Sequence, residues 1–298
     1  MNKGTLTALG AYLLWGFLPI YWKALHSVPA VQIIAHRVIW SFLFVVVLLA
    51  LQKEWGSFWK AISNRKTILI YLAAAVLLTL NWLVYVWGVN SEHVVETSLG
   101  YFINPLVSVL LGVIFLREKL RPLQWVPVGL AAAGVTYLTL SYGSLPWIAL
   151  ALALTWGFYG LVKKTAPLGS LHGLTLETGL AFLPSLAFLL VMDVTGKGAF
   201  GHSTTLLNLL MAGAGVITAV PLLLFASAAK DVNLSILGLL FYVSPTCQFL
   251  IGVLLYKEPF SHHQLIGFSI VWIALILFWS ESLFGFFRAG RQFLTPSK

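Results

Sequence analysis

The sequence predicts an all-α integral membrane protein of ten transmembrane helices, arranged as two inverted five-helix repeats. Three observations carry that expectation. The 298 residues are 59% hydrophobic and 9% charged, whereas soluble domains hold about 45–50% apolar and about 25% charged residues. No water-soluble fold of this size has interior enough to hide so much apolar surface. Two stretches also read nearly alike at an offset of 140, the first running from Asn104-Pro105 through Gly112 to Arg117-Glu118 and Gln124, the second from Ser244-Pro245 through Gly252 to Lys257-Glu258 and Gln264. Finally, Lys and Arg gather in alternate connections between the apolar runs, as in multi-pass membrane proteins.

The elements follow in order. A helix needs about 17–25 apolar residues to cross a bilayer, and the stretches 6–22, 31–51, 67–89, 97–116, 123–141, 145–162, 171–192, 205–228, 234–256 and 264–284 meet or approach that length. The runs are continuous and do not alternate with period two, which argues against a β-barrel. Met1-Asn2-Lys3 before the apolar run from Leu6 resembles a signal peptide. No small-x-small cleavage site follows, so an uncleaved first helix is expected.

With the N-terminus inside, the cytoplasmic segments hold Lys3, Lys53, Lys60, Arg65, Lys66, Arg117, Lys119, Arg121, Lys163, Lys164, Lys230, Arg288, Arg291 and Lys298. The opposite side holds Lys197 and Lys257, with Lys23 near its edge. Both termini are therefore expected in the cytoplasm. Because five is odd, the second half must enter with the opposite orientation. Trp15-Gly16-Phe17 matches Trp156-Gly157-Phe158 at an offset of 141, and the halves divide near Tyr142 to Pro146, giving repeats 1–142 and 143–298. The third and eighth spans align only with a small gap. Inverted hydrophobic repeats are a mark of membrane transporters.

Several other classes lose support. The net charge of +9 is spread over short loops, without a basic cluster interleaved with aromatics. That distribution suits anionic lipid headgroups and not nucleic acid. The lone Cys247 permits no intramolecular disulfide. No Gly-Lys-[Ser/Thr] phosphate loop and no His-Glu-x-x-His occurs, and His93-Val94-Val95-Glu96 is followed by Thr97, not His. His262-His263 lies in an expected external loop. Neither a metal nor another cofactor is expected.

A Pro opening an apolar run, Gly within it, Glu at its end and then Gln-x-x-Gly resembles the EamA-type repeat of the drug/metabolite transporter superfamily. The second copy fits throughout with Pro245, Gly252, Glu258, Gln264 and Gly267, while the first has Pro127 in place of the last Gly, followed by Gly129. Gly10-Ala11-Tyr12-Leu13-Leu14-Trp15-Gly16, His36-Arg37 and Asn81-Trp82 are similar to the RarD group within it, labelled chloramphenicol-sensitive proteins. The resemblance covers essentially the whole chain. It implies a ten-helix permease of the bacterial inner membrane with both termini inside, and small-molecule transport. The expected function is that of a secondary transporter or facilitator for a small organic solute, working by alternating access, and not an enzyme. Protons are a candidate coupling ion. The rival class is a membrane-embedded enzyme acting on a lipid-linked substrate, which should gather several acids, His or Arg at one interface site. The nine acids here are scattered.

Polar residues deep in hydrocarbon are costly and point to function. Arg37 and Glu177 are each the seventh residue of equivalent spans, about 9 Å inside at 1.5 Å per residue, and His36 aligns with Glu177. These three are expected to face one cavity, Arg37 binding an anionic group and Glu177 exchanging a proton. The alternative is a static polar contact between helices. Tyr101, Asn104, Ser108 and Gly112 share one helix face, with Phe241, Ser244, Gln248 and Gly252 as their counterparts. Pro105 and Pro245 each remove a backbone donor, making them candidate helix breaks beside a ligand; small-residue packing is the competing explanation. Asn81 and Tyr85 add polar groups one turn apart. Trp15, Trp156 and Tyr159 offer an aromatic wall or simple packing. Trp55, Trp59, Trp125 and Trp147 fit an interface belt, and Glu118 and Glu258 fit anchors for helix ends.

Overall fold

A computed structural model describes residues 3–91, 93–142 and 146–257, and between 262 and 280 all but residues 264, 268, 275 and 279. The described residues are helices and their connections: α1 (Lys3–Ala24), α2 (Ala30–Leu51), α3 (Trp55–Ile62), α4 (Arg65–Asn90), α5 (Val94–Phe115), α6 (Trp125–Tyr142), α7 (Trp147–Thr165), α8 (Ser170–Val194), α9 (Thr205–Asp231), α10 (Leu234–Phe241) and α11 (Val243–Leu250). Seven helical segments are long and apolar enough to cross a membrane, and Leu99–Phe115 and Leu265–Phe278 are shorter apolar helices. Apolar residues cover their outer faces too, with Leu69 62%, Ile114 65% and Val194 87% exposed. A helix that is apolar on every side belongs in lipid. The chain is a multi-pass membrane protein.

Two segments differ from the sequence reading. Residues 55–62, expected as loop, form the short α3, which buries Phe58 against Leu49, Tyr71 and Leu168 and leaves Trp59 outside. The stretch 234–256 is divided: α10 ends at Phe241, α11 begins at Val243, and Ile251–Leu255 is a π-helical turn. Pro245 has no N–H for the carbonyl of Phe241, four residues back. Its counterpart Pro105 does not break α5, which continues through it. Glu258 and Gln264 lie outside the described residues.

Helices approach closely through small residues, as membrane bundles require. A Cβ on Gly16 would lie 2.5 Å from that of Cys247, and one on Gly157 would lie 2.7 Å from Val107. These two contacts are the same contact made once by each half, α1 on α11 and α7 on α5. The tightest approach joins α9 to α2, where a Cβ on Gly215 would sit 2.3 Å from the Trp40 carbonyl carbon. Ser41 Oγ donates to the Gly215 carbonyl there at 3.0 Å.

Three further contacts locate the line about which the halves are related. Trp15 meets Trp156 edge to face at 5.2 Å, Tyr101 stacks on Phe241 at 6.2 Å, and Phe102 lies 6.5 Å from Tyr242. Tyr242 also donates its hydroxyl to the Phe102 carbonyl at 3.0 Å. Each pair joins a residue to its own repeat counterpart. Under two-fold symmetry that happens only on the axis, so the axis passes between α1 and α7 and between α5 and α10.

Gly215→Ala should force α9 off α2 and cost about 1–3 kcal/mol, the usual range for overpacking. Gly129, whose added Cβ meets nothing within 4 Å, is the control. Thermal unfolding of detergent-purified variants should show a lowered midpoint for Gly215→Ala and no lowering for Gly129→Ala.

Candidate functional site

Arg37, in the second turn of α2, projects into the bundle between three other helices. Its Nε donates to Thr218 Oγ1 of α9 at 2.9 Å. The guanidinium carbon lies 4.3 Å from the ring centroid of Trp82 on α4 and 4.9 Å from that of Trp22 on α1, distances typical of cation–π contacts. Tyr85 and Tyr101 are its electrostatic neighbours and meet each other edge to face at 5.9 Å. Arg37, Trp82 and Tyr101 are half-buried, and Tyr85 keeps 38% of its surface. Among the described residues no carboxylate pairs with Arg37.

Glu177 lies elsewhere. In the first turns of α8 it accepts from Lys163 Nζ at 2.6 Å and from the Tyr159 hydroxyl at 3.1 Å. Lys163 and Glu177 are each 2% exposed. The ammonium also lies 5.3 Å from the Tyr71 ring centroid and 5.9 Å from that of Tyr159. This correction has a topological cause. Helices α2 and α8 run antiparallel: Gln32, at the start of α2, donates to the Lys197 carbonyl just after α8 at 2.7 Å. Residues near the two N-termini therefore sit at opposite ends of the bundle. Nor is Lys163 a loop residue. It belongs to the last turn of α7, and its neighbour Lys164 takes the terminal role by donating to the carbonyls of Ala229 and Val232 at the end of α9, at 3.1 and 2.6 Å. Lys230 of α9 answers by donating to the Ala166 carbonyl at the end of α7. Cations at helix C-termini complement the dipole.

The repeat makes the contrast sharper. At an offset of 141, Glu177 corresponds to His36 and Lys163 corresponds to Trp22. One half carries a neutral-sum ion pair; the equivalent place in the other holds an indole, an imidazole and the adjoining Arg37. His36 is 4% exposed, packs 5.1 Å from the Phe200 ring, and neither ring nitrogen has a hydrogen-bond partner. Between the two charged centres rings touch in sequence: Tyr101 on Phe241, Phe241 on Trp156 at 5.8 Å, and Trp156 on Tyr159 at 5.6 Å, which reaches Glu177. Trp15 packs on Trp156 within this cluster.

The remaining sequence candidates divide. Asn81 Nδ2 donates to the Leu152 carbonyl and Thr155 Oγ1, both at 2.9 Å, and so clips α4 to α7. Gln248 Nε2 donates to the Trp15 carbonyl at 3.2 Å and to Ser244 Oγ at 3.3 Å, tying α11 to α1. Asn104 is 3% exposed with Oδ1 unpartnered. Glu118 accepts from the backbone N–H of Leu234 and Ser235 at 2.7 and 2.9 Å, capping α10; Arg117, at φ 54°, turns the chain so that it can. Sequence reasoning missed Lys163, Thr218 and Trp22. Trp156, Tyr159 and Lys163 follow one face at helical spacing, a signal that would have drawn Lys163 into the span.

The family described as the EamA-like transporter family matches residues 2–140 and again 145–280. The chain is 46% identical over 281 residues to the uncharacterized transporter YojE of Bacillus subtilis, covering 93% of each. It is 43% identical over 282 residues to protein RarD of Streptomyces exfoliatus, covering 95% of this chain and 90% of that one. Protein RarD of Escherichia coli is 41% identical over 283 residues, with 95% and 96% covered. A crystal structure of a protein only 16% identical aligns with a TM-score of 0.71 over 93% of this chain and 97% of that one; it speaks for the fold alone.

Removing one member of a buried ion pair strands the other charge, at a cost of about 3–5 kcal/mol. Lys163→Met and Glu177→Gln should each lower the unfolding midpoint sharply, and the double variant should recover most of the loss. A double-mutant cycle read by thermal unfolding in detergent checks this, and additive losses would contradict a direct pair.

Proposed function

Since the chain belongs to the EamA-like transporter family, we propose that it is a secondary transporter carrying a small organic solute across the bacterial inner membrane by alternating access. The observation that carries this reading is the pair of charged centres at opposite ends of the bundle, linked by ring contacts across the axis of the repeat. Halves 1–142 and 143–298 rock about that axis, and the aromatic layer formed by Trp15, Tyr101, Trp156 and Phe241 is the barrier that each half opens in turn. Helices packed through small residues can tilt without leaving voids, because their backbones already touch. Both termini lie in the cytoplasm, as the distribution of Lys and Arg supports. Arg37 then belongs to the outer part of the pathway and the Lys163–Glu177 pair to the inner.

Coupling is assigned to the inner pair. Glu177 held by Lys163 and Tyr159 is anionic; if rocking of α8 separates it from Lys163, a carboxylate left in a dry interior takes up a proton. The proton is released when the pair reforms. Such an exchange ties one proton to one cycle, which a fixed ion pair cannot do.

Purified protein in liposomes, given a pooled set of metabolites with and without an imposed pH gradient, tests both parts. Mass spectrometry should find a protein-dependent solute that accumulates only under the gradient. Glu177→Gln should leave equilibration of that solute while abolishing its accumulation. No protein-dependent movement of any solute would overturn the transporter reading, and gradient-insensitive movement would overturn the coupling role.

A further inference from the structure

Arg37 raises a charge-balance question that the protein does not answer by itself. A guanidinium inside a membrane bundle is costly unless something neutralises it. Its surroundings, taken helix by helix, are Trp22 from α1, Trp82 and Tyr85 from α4, Tyr101 from α5 and Thr218 from α9. None is an acid. The nearest buried carboxylate in kind, Glu177, is already occupied by Lys163 and lies toward the other end of the bundle. Thr218 uses only Nε. The terminal amino groups of the fork have no hydrogen-bond partner among the described residues, and Tyr85, beside Tyr101, keeps 38% of its surface.

We propose that Arg37 is the headgroup site for the cargo, and that the cargo is an organic monoanion, a carboxylate gripped by the guanidinium with a flat apolar body against Trp82, Tyr85 and Tyr101. The inference rests on the transporter reading and adds the substrate class to it. Three features specify that class. A planar fork with free parallel N–H groups matches a carboxylate in two-point fashion, which an ammonium would not. One cation without an acid among the described residues balances one negative charge, so a dianion would carry a surplus charge into the interior. Indole and phenol rings around the fork offer flat apolar surface for the rest of the molecule. Trp22 and Trp82 meanwhile hold the guanidinium in place, which keeps the fork oriented between cycles.

The test uses the full chain in liposomes with a pool of small carboxylic acids, their neutral amides and the corresponding amines, each solute scored by protein-dependent uptake. Carboxylates with apolar or aromatic bodies should dominate. Arg37→Gln should lower their uptake by about 10–100-fold, the range expected for losing hydrogen bonds to a charged group. Arg37→Lys, which keeps the charge without the fork, should retain an intermediate rate and so separates headgroup binding from a folding defect. Size-exclusion profiles and unfolding midpoints of both variants establish that they fold. Uptake of amides or amines that Arg37→Gln leaves unchanged would overturn the anion assignment while leaving the transporter reading intact. Absence of uptake for all three classes would overturn the two together.

Discussion

The bundle is organised by residues that touch their own counterparts. Trp15 on Trp156, Tyr101 on Phe241 and Phe102 beside Tyr242 each close a contact between equivalent positions of the two halves. A contact of that kind fixes a symmetry line, and the other packing follows from it. Once α1 faces α7 and α5 faces α10, the approach of Gly16 to Cys247 requires the approach of Gly157 to Val107. The rings on the axis are large and apolar, so the centre of the molecule is a closed aromatic layer.

Charge breaks the symmetry that packing keeps. The position of the buried Lys163–Glu177 pair in one half is taken in the other by Trp22 and His36, beside an Arg37 that has no acid partner among the described residues. A neutral pair and an uncompensated cation are different electrostatic objects. The first can persist in a dry interior, whereas the second is costly there until an anion neutralises it. A repeated unit thus has two electrostatically distinct ends.

How much of this was legible in the sequence depends on how local each signal is. The repeat, the apolar runs and the costly positions Arg37 and Glu177 are properties of single segments, legible in the sequence; Glu177 is buried and Arg37 half-buried. The partners were not legible. Arg37 and Glu177 enter from opposite faces, as inverted halves require, but packing gives each its own partners, Thr218 and Lys163, and not one shared cavity. Lys163 falls just past the apolar run 145–162 and so reads as part of a cytoplasmic connection, yet it turns inward to Glu177 while Lys164 faces the end of α9. Asn81 and Gln248 share faces with aromatic residues, and only tertiary packing shows that their amides are spent on the backbone of α7 and α1. The identical Pro105 and Pro245 differ for the same reason: α5 runs on past its proline, while α10 and α11 are separated at Tyr242. Glu118 could be recognised as a helix-end anchor, although the helix it caps is not its own.

Alternating access about the axis is the central claim, and side-specific labelling tests it most directly. In a background with Cys247→Ser, a cysteine is placed at Tyr85, which neighbours Arg37 and keeps 38% of its surface. Proteoliposomes of known orientation would be treated with a membrane-impermeant maleimide from one face and, separately, from the other. The account predicts modification from each face, since the same position is exposed to both sides in turn. Modification from one face only would contradict it.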